Sequence, residues 1–415
     1  MIKAGGKIEQ GTRDYRRANL ALFIAGFVTF STLYDVQPLL PLFVAEFGIS
    51  PATASLALSF ATFSLAWTLP ASGSLSDALG RRVLMGTSLV LTALLALLSA
   101  GCDTLPTLLV VRLVQGVVLA GVPAVAMAYL NDEMSPKAIG AAMGLYIAGN
   151  ACGGMVGRIL TILLTDILPW RGAIAVIGTL ALILSALFWL TLPPSRHFQR
   201  RPFRVGPLTS TLFGHLREPG LLCLYALAFL LMGGFVTLYN YVTFYLLAPP
   251  YTLTPSQVAF IFLAYAFGAG GSSVMGGLVA RVGRPRILYA ALGIMAAGLL
   301  LTLLAPLAAI VAGIVVFTIG FFGAHAVAAS WVGIRATTAR AQASSLYLLA
   351  YYLGSSISGT GGGFVWSHWG WHGVVAMIAA LLGGAVVVVL CLISLRDCVE
   401  DCKNQPLADI GQSAE

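Results

Sequence analysis

Charge is what this sequence has least of. Only 9% of its 415 residues are Asp, Glu, Lys or Arg, against about 25% in soluble domains. With 59% hydrophobic residues and a mean hydropathy of +0.92, the composition excludes a water-soluble globule and leaves an integral membrane protein. No Walker-type phosphate loop is present, so ATP is not a direct energy source within this chain. The apolar segments hold no paired carboxylates, metal-ligand cluster or nucleophile–base set, which argues against a membrane enzyme. Long polar stretches are missing too. The central one, Pro193 to Gly220, and the tail are too short for a soluble signalling domain, so a transport-inactive sensor is the weaker alternative.

Cysteine is sparse. Of Cys102, Cys152, Cys223, Cys391, Cys398 and Cys402, three fall in apolar segments and two lie four apart in the tail. They read as plain thiols in a reducing compartment. His368 and His372 stand at i and i+4 but lack a third ligand, so no metal is expected. The nearby Trp366, Trp369 and Trp371 read as an interfacial aromatic belt.

What is present is a series of apolar runs long enough to cross a bilayer. Twelve can be drawn: 18–45, 52–74, 83–101, 105–130, 138–164, 172–192, 220–248, 257–279, 287–304, 307–334, 341–363 and 373–395. The basic N-terminal residues Lys3, Lys7, Arg13, Arg16 and Arg17 precede a run too long for a signal-peptide core, so it is expected to be retained. With the N-terminus inside, every Lys and Arg except Arg112, Arg158 and Arg171 falls on a cytoplasmic segment, as the positive-inside rule requires. The net charge of +8 thus reports topology and contact with anionic lipid, not a nucleic-acid partner.

The chain repeats itself. "LYDV" at 33–36 returns as "LYNY" at 238–241, and "SPATAS" at 50–55 as "TPSQVA" at 254–259. "GSLSDALGRRVL" at 73–84 returns as "GGLVARVGRPRI" at 276–287, and "GLYIAGNACGG" at 144–154 as "SLYLLAYYLGS" at 345–355. "PWRGAIA" at 169–175 returns as "GWHGVVA" at 370–376. The order is kept throughout, as two parallel halves would give. The expected division is an N-terminal six-helix half at 1–192, a cytoplasmic central loop at 193–219, a C-terminal half at 220–397 and a cytoplasmic tail at 398–415. Asp35 in the first half corresponds to Asn240 in the second. The fold therefore needs no acid there, and a carboxylate inside a span is a functional candidate.

The span 2–3 loop carries the most specific signal. Gly73, Asp77, Gly80, Arg81, Arg82 and Leu84, together with Arg112, Gln115 and Gly116 in span 4, make the chain resemble the major facilitator superfamily over nearly its whole length. The resemblance implies an all-α membrane protein, with twelve transmembrane helices in two pseudo-symmetric halves. It implies a conformational latch at Gly73, Asp77, Gly80, Arg81 and Arg82, binding the second half in the outward-facing state. Ala280 stands where the second copy would need an acid, so one strong and one weak latch are expected. The resemblance also associates Arg112 with proton coupling, and places Asp35 within its reach.

Span 5 resembles the antiporter pattern of that family at Gly140, Gly149, Gly153 and Gly157, but Gly154 replaces a proline and Arg158 replaces the last glycine. Counted from the loops at about 1.5 Å per residue, Asp35, Arg112 and Arg158 share one depth band, roughly 12–16 Å in. Arg158 either binds an anionic group of the solute or serves structure, by reaching outward or by pairing with Asp166. Tyr34, Gln37, Asn150, Tyr239, Asn240, His325, Tyr347 and Tyr351, with Tyr241 and Tyr265, are the remaining polar candidates for solute contact.

These readings converge on proton-coupled export of a small organic solute, anionic or amphipathic, by alternating access. Asp35 and Arg112 would couple the proton, the proton gradient would be the energy source, and no cofactor is expected. Proton symport for uptake and facilitated passage by the same fold remain open. The expected setting is a bacterial inner membrane, as a multi-pass monomer with both termini cytoplasmic. The stretches "LYDVQPLLP" and "GNACGGMVGR" look most like bacterial sugar and drug efflux permeases.

Overall fold

The computed structural model describes residues 6–198, 200 and 205–404, with side chains throughout except at 205–209 and 396–404. Lys3, Arg201, Arg204 and most of the expected tail lie outside the described residues, as do the side chains of Cys398 and Cys402. Ten helical spans run over Arg13–Phe47, Pro51–Leu79, Arg81–Ala100, Leu105–Glu133, Ile139–Leu164, Trp170–Thr191, Pro219–Leu247, Pro255–Val282, Arg284–Leu301 and Leu307–Arg335. An eleventh stretch, Arg340–Leu395, is broken at Gly370 (φ +57°, ψ −150°) into two more, giving spans 1 to 12. Helices satisfy their own backbone polar groups, which lipid cannot do. The last helix runs on past residue 397 to Asn404. The stretch read from sequence as the central loop, 193–219, contains a helix at Val205–His215.

The internal repeat reappears in backbone detail. Ser50 and Thr254 cap spans 2 and 8 by accepting from the N–H of Thr53 and Gln257, and proline follows each cap. Gly80 (φ +102°) and Gly283 (φ +89°) close the loops after the same spans in a conformation that only glycine adopts readily. Span 1 packs along span 5, span 3 along span 6, and span 9 along span 10. The halves meet where span 2 lies on span 11 and span 5 lies on span 8.

Three spans are interrupted along their length. Span 1 tightens to a 3-10 turn at Gln37–Leu39, where Pro38 and Pro41 lack the N–H groups a continuous helix needs. Span 4 breaks between Leu119 and Pro123, and span 8 passes through a 3-10 turn at Phe260–Leu263. Such breaks free carbonyls inside the protein, and side chains must answer them.

The two faces of the molecule differ. The face carrying residues 6–12, Arg81, Arg82 and the central loop is here termed the basic face; the opposite one carries the loops at 48–50, 165–169 and 248–254. Towards the opposite face the halves are stitched together. Ser59 donates to the Ser356 carbonyl at 3.1 Å, Thr62 and Ser356 share a 2.7 Å bond, Thr360 donates to Ser59 at 2.9 Å, and Ser256 donates to Asp166. A Cβ on Gly363 would collide with the backbone of Ala52. Towards the basic face the pattern reverses. A Cβ on Gly140 or Gly144 of span 5, or on Gly276 or Gly277 of span 8, would meet nothing within 4 Å. Among the described residues, the hydrogen bonds that join the halves lie at mid-depth or towards the opposite face.

Candidate solute site between the halves

Arg112 is the centre of the first cluster. Its Nη1 donates to Asp35 Oδ1 at 3.2 Å, to Gln115 Oε1 at 2.7 Å and to the Thr32 carbonyl at 3.0 Å. Nη2 donates to the Leu33 carbonyl at 2.5 Å, and Nε to the Ala57 carbonyl at 2.9 Å. The carbonyls of Thr32 and Leu33 belong to the last turn before the break in span 1. One guanidinium thus answers that break and pins spans 1, 2 and 4 together. Gln115 extends the knot to span 3 through the Thr92 carbonyl at 3.3 Å, and Gly116 is small because Ala61 and Ser64 of span 2 press against it. Asp35 and Arg112 are each no more than 1% exposed. Asp35 Oδ2 is buried without a hydrogen-bond partner among the described residues.

Arg158 forms a second cluster. Its Nε donates to Gln37 Oε1 and its Nη1 to the Gly154 carbonyl, both at 2.5 Å. Gln37 Nε2 in turn donates to Asn240 Oδ1 at 2.7 Å, so the chain Arg158–Gln37–Asn240 crosses from one half to the other. The guanidinium carbon lies 3.9 Å from the ring centroid of Tyr34, 4.8 Å from Tyr265 and 5.7 Å from Phe262. Arg158 is 1% exposed and forms no ion pair among the described residues. Both structural alternatives for it are overturned. It does not reach outward, and Asp166 bonds Ser256 instead.

The span-5 glycines divide by place. A Cβ on Gly149, Gly153 or Gly157 would fall on the backbone of Phe23, Phe27 or Ser31, so these three let span 5 lie directly against span 1. Gly154 accommodates the Arg158 guanidinium, 3.1 Å from where a Cβ would stand. Gly140 touches nothing. Asn150 lies against Gly26 with its Oδ1 unpartnered.

Other candidates separate into packed and available groups. Tyr239 shares a 2.8 Å bond with Thr318, and Tyr241 donates to the Gly359 carbonyl at 2.6 Å; both are fully buried. His325 Nδ1 and Tyr347 Oη lie 3.0 Å apart, with the Tyr351 ring 4.7 Å from the imidazole. Phe235, Phe321 and Phe262 escaped the sequence reading, because phenylalanine in an apolar run is indistinguishable from a lipid-facing residue. Phe235 and Phe321 stack at 3.7 Å, and they join Tyr265 to His325 in one aromatic seam. Trp371, read as interfacial, is instead buried, donating to the Thr302 carbonyl and stacked on Tyr245 at 4.8 Å.

The span 2–3 motif lies within the first half here. Arg81 bonds Asp77 at 2.8 Å, Ser76 at 2.5 Å and Asp132 of span 4 at 3.0 Å, while Arg82 donates to the Trp189 carbonyl at 2.6 Å. Gly80 supplies the turn, and a Cβ on Gly73 would meet nothing within 4 Å. Among the described residues, no hydrogen bond or ion pair joins this motif to the second half.

A sequence model of the Major Facilitator Superfamily matches residues 22–359. The chain belongs to the Major Facilitator Superfamily. It is similar to the uncharacterized MFS-type transporter YybF of Bacillus subtilis (strain 168), with 48% identity over 90% of this chain and 93% of that one. It is also similar to the inner membrane transport protein YnfM of Escherichia coli (strain K12), with 45% identity over 92% of this chain and 91% of the relative. Among solved structures, a point mutant of the nucleoside transporter NupG shares the fold, with a TM-score of 0.74 at 14% identity over 91% of this chain and 99% of that one. Membership in the superfamily makes this a multi-pass secondary transporter for a small molecule, and its relatives are named as transporters rather than enzymes.

Proposed function

We propose that this protein is a proton-coupled exporter, which moves a small organic solute out across a bacterial inner membrane by alternating access. The observation that carries the reading is the Asp35–Arg112 pair at the break in span 1. One carboxylate oxygen is held at 3.2 Å, and the other is buried without a hydrogen-bond partner among the described residues. An ionised oxygen left in that state is costly, and a proton relieves it. Arg112 is held independently by three main-chain carbonyls, so loading Asp35 with a proton need not dismantle the site.

The basic face is taken as cytoplasmic by the positive-inside rule. In that orientation the hydrogen bonds between the halves lie towards the outer side, which suits a state that accepts a solute from the cytoplasm. The glycine seam between spans 1 and 5 matches the family's antiporter pattern at Gly149, Gly153 and Gly157, and favours export. The proton gradient supplies the energy, no cofactor takes part, and the protein works as a monomer. Proton symport for uptake is the second reading, favoured by Gly154 standing where the antiporter pattern has proline.

Everted membrane vesicles with an imposed inside-acid gradient test the proposal. A panel of radiolabelled solutes of differing charge is screened for accumulation that a protonophore abolishes. Export by antiport gives gradient-dependent accumulation in wild type and none in Asp35→Asn. Gradient-driven loss from preloaded vesicles would establish symport, and equilibration indifferent to the protonophore would establish a facilitator.

A further inference from the structure

Arg158 carries a positive charge with no acid beside it. Burying such a charge is expensive unless it is paired, and three aromatic faces recover only part of the cost. Two of its nitrogens are engaged by Gln37 and Gly154, whereas Nη2 has no hydrogen-bond partner among the described residues. Beside it, Tyr265 Oη is buried without a partner among the described residues, and its hydroxyl can donate. An unpaired cation with an unpaired donor beside it lacks one thing, an anion.

The charge of that anion is limited. Arg112 is committed to Asp35 and to three carbonyls, which leaves one net positive charge and therefore favours a monoanion over a phosphate dianion. Its surroundings specify the rest. Arg158 is roofed by Tyr34, Tyr265 and Phe262, and from Tyr265 the seam runs through Phe235 and Phe321 to His325 and Tyr351. His325 and Tyr351 are only half-buried. We propose that Arg158, with Tyr265, forms a carboxylate subsite, and that the transported solute is an aromatic or similarly flat apolar monocarboxylate. Its carboxylate ends at Arg158 Nη2 and its body lies along the Phe235–Phe321 seam. This rests on the reading of the inter-half region as the solute site.

Equilibrium binding to the purified full-length protein in detergent tests it, with matched probes: benzoate against benzamide, 1-naphthoate against 1-naphthamide, and phenyl phosphate as the dianion. Wild type is expected to bind each acid at least about ten-fold more tightly than its amide, the worth of one charge-assisted hydrogen bond, with phenyl phosphate no better than benzoate. Arg158→Gln is expected to erase the preference while amide affinity stays within about two-fold. Should that variant fail to fold, Tyr265→Phe removes a single hydroxyl and is expected to weaken the acids alone, by about three- to ten-fold. Equal binding of acid and amide, an acid preference that survives in both variants, or no binding of any acid would overturn the proposal. Binding needs no gradient, so an acid preference that depends on Arg158 stands even if proton-driven export fails. Proton-driven export of a neutral solute, without acid preference, would overturn this inference alone.

Discussion

Asp35 and Arg112 touch through a single carboxylate oxygen, Oδ1, at 3.2 Å, and the second oxygen is buried without a hydrogen-bond partner among the described residues. The two residues are therefore unequal. Arg112 has five acceptors, three of them main-chain, whereas Asp35 is bound to the knot on one side only. Arg112→Ala should strand the Thr32, Leu33 and Ala57 carbonyls and leave Asp35 unpaired, costing about 3–5 kcal/mol. Asp35→Asn should fold, keep solute binding, and lose the pH dependence of transport. Thermal unfolding and a pH profile of transport, measured on both variants, separate these outcomes.

Span 5 offers a steric test. Gly153→Val should drive a side chain into the Phe27 backbone and cost about 1–3 kcal/mol, with a matching fall in the yield of folded protein. Gly140→Ala, at the basic end of the same helix, should be silent because nothing stands within 4 Å of its Cβ. Size-exclusion profiles of the two variants check the contrast.

The seal between spans 2 and 11 can be locked. Thr62 Oγ1 and Ser356 Oγ lie 2.7 Å apart, within reach of a disulfide. Oxidised Thr62→Cys/Ser356→Cys protein should stop transporting and recover on reduction. Undiminished transport by fully cross-linked protein would show that transport does not require spans 2 and 11 to part at this point.

The span 2–3 motif engages only its own half in this conformation, with Arg81 holding Asp77 and Asp132. If the motif latches the second half in the other conformation, Asp77→Asn should enrich the present one. Spin-label distances across the basic ends of spans 2 and 11 should then shift towards the longer population. An unchanged distribution would reduce Asp77 to a local partner of Arg81.

Glu218 caps span 7 and provides a pH test outside the membrane. Partial burial raises its pKa, but Arg335 at 2.8 Å and the N–H groups of Leu221 and Gly220 outweigh that and hold it below the usual glutamate value. A depressed pKa stabilises above the unfolded-state pKa, and the gain is lost as pH falls through the folded one. Glu218→Gln should cost about 0.5–1 kcal/mol at neutral pH, discounted for solvent exposure, and the difference should vanish in acid. Thermal unfolding of both proteins from neutral pH down to about pH 2, below the depressed folded-state pKa, measures it.

Hydropathy alone determined that this chain spans a membrane twelve times, because a bilayer offers the backbone no partner and only long apolar helices meet that demand. The five matched segments determined that it has two halves, and the backbone of Gly80 and Gly283 agrees. The charges at Asp35, Arg112 and Arg158 were visible as oddities in lipid, since such residues are rare enough to stand out. What they do to each other was not. Sequence placed all three at one depth, but only the tertiary structure sent Arg112 to Asp35 and to the open carbonyls of span 1, and left Arg158 among rings. That division depends on which way each helix is turned about its axis, and packing between helices sets that rotation. Phe235, Phe262 and Phe321 were invisible for the same reason: an apolar residue facing lipid and one facing a solute look alike until a neighbour is placed against them.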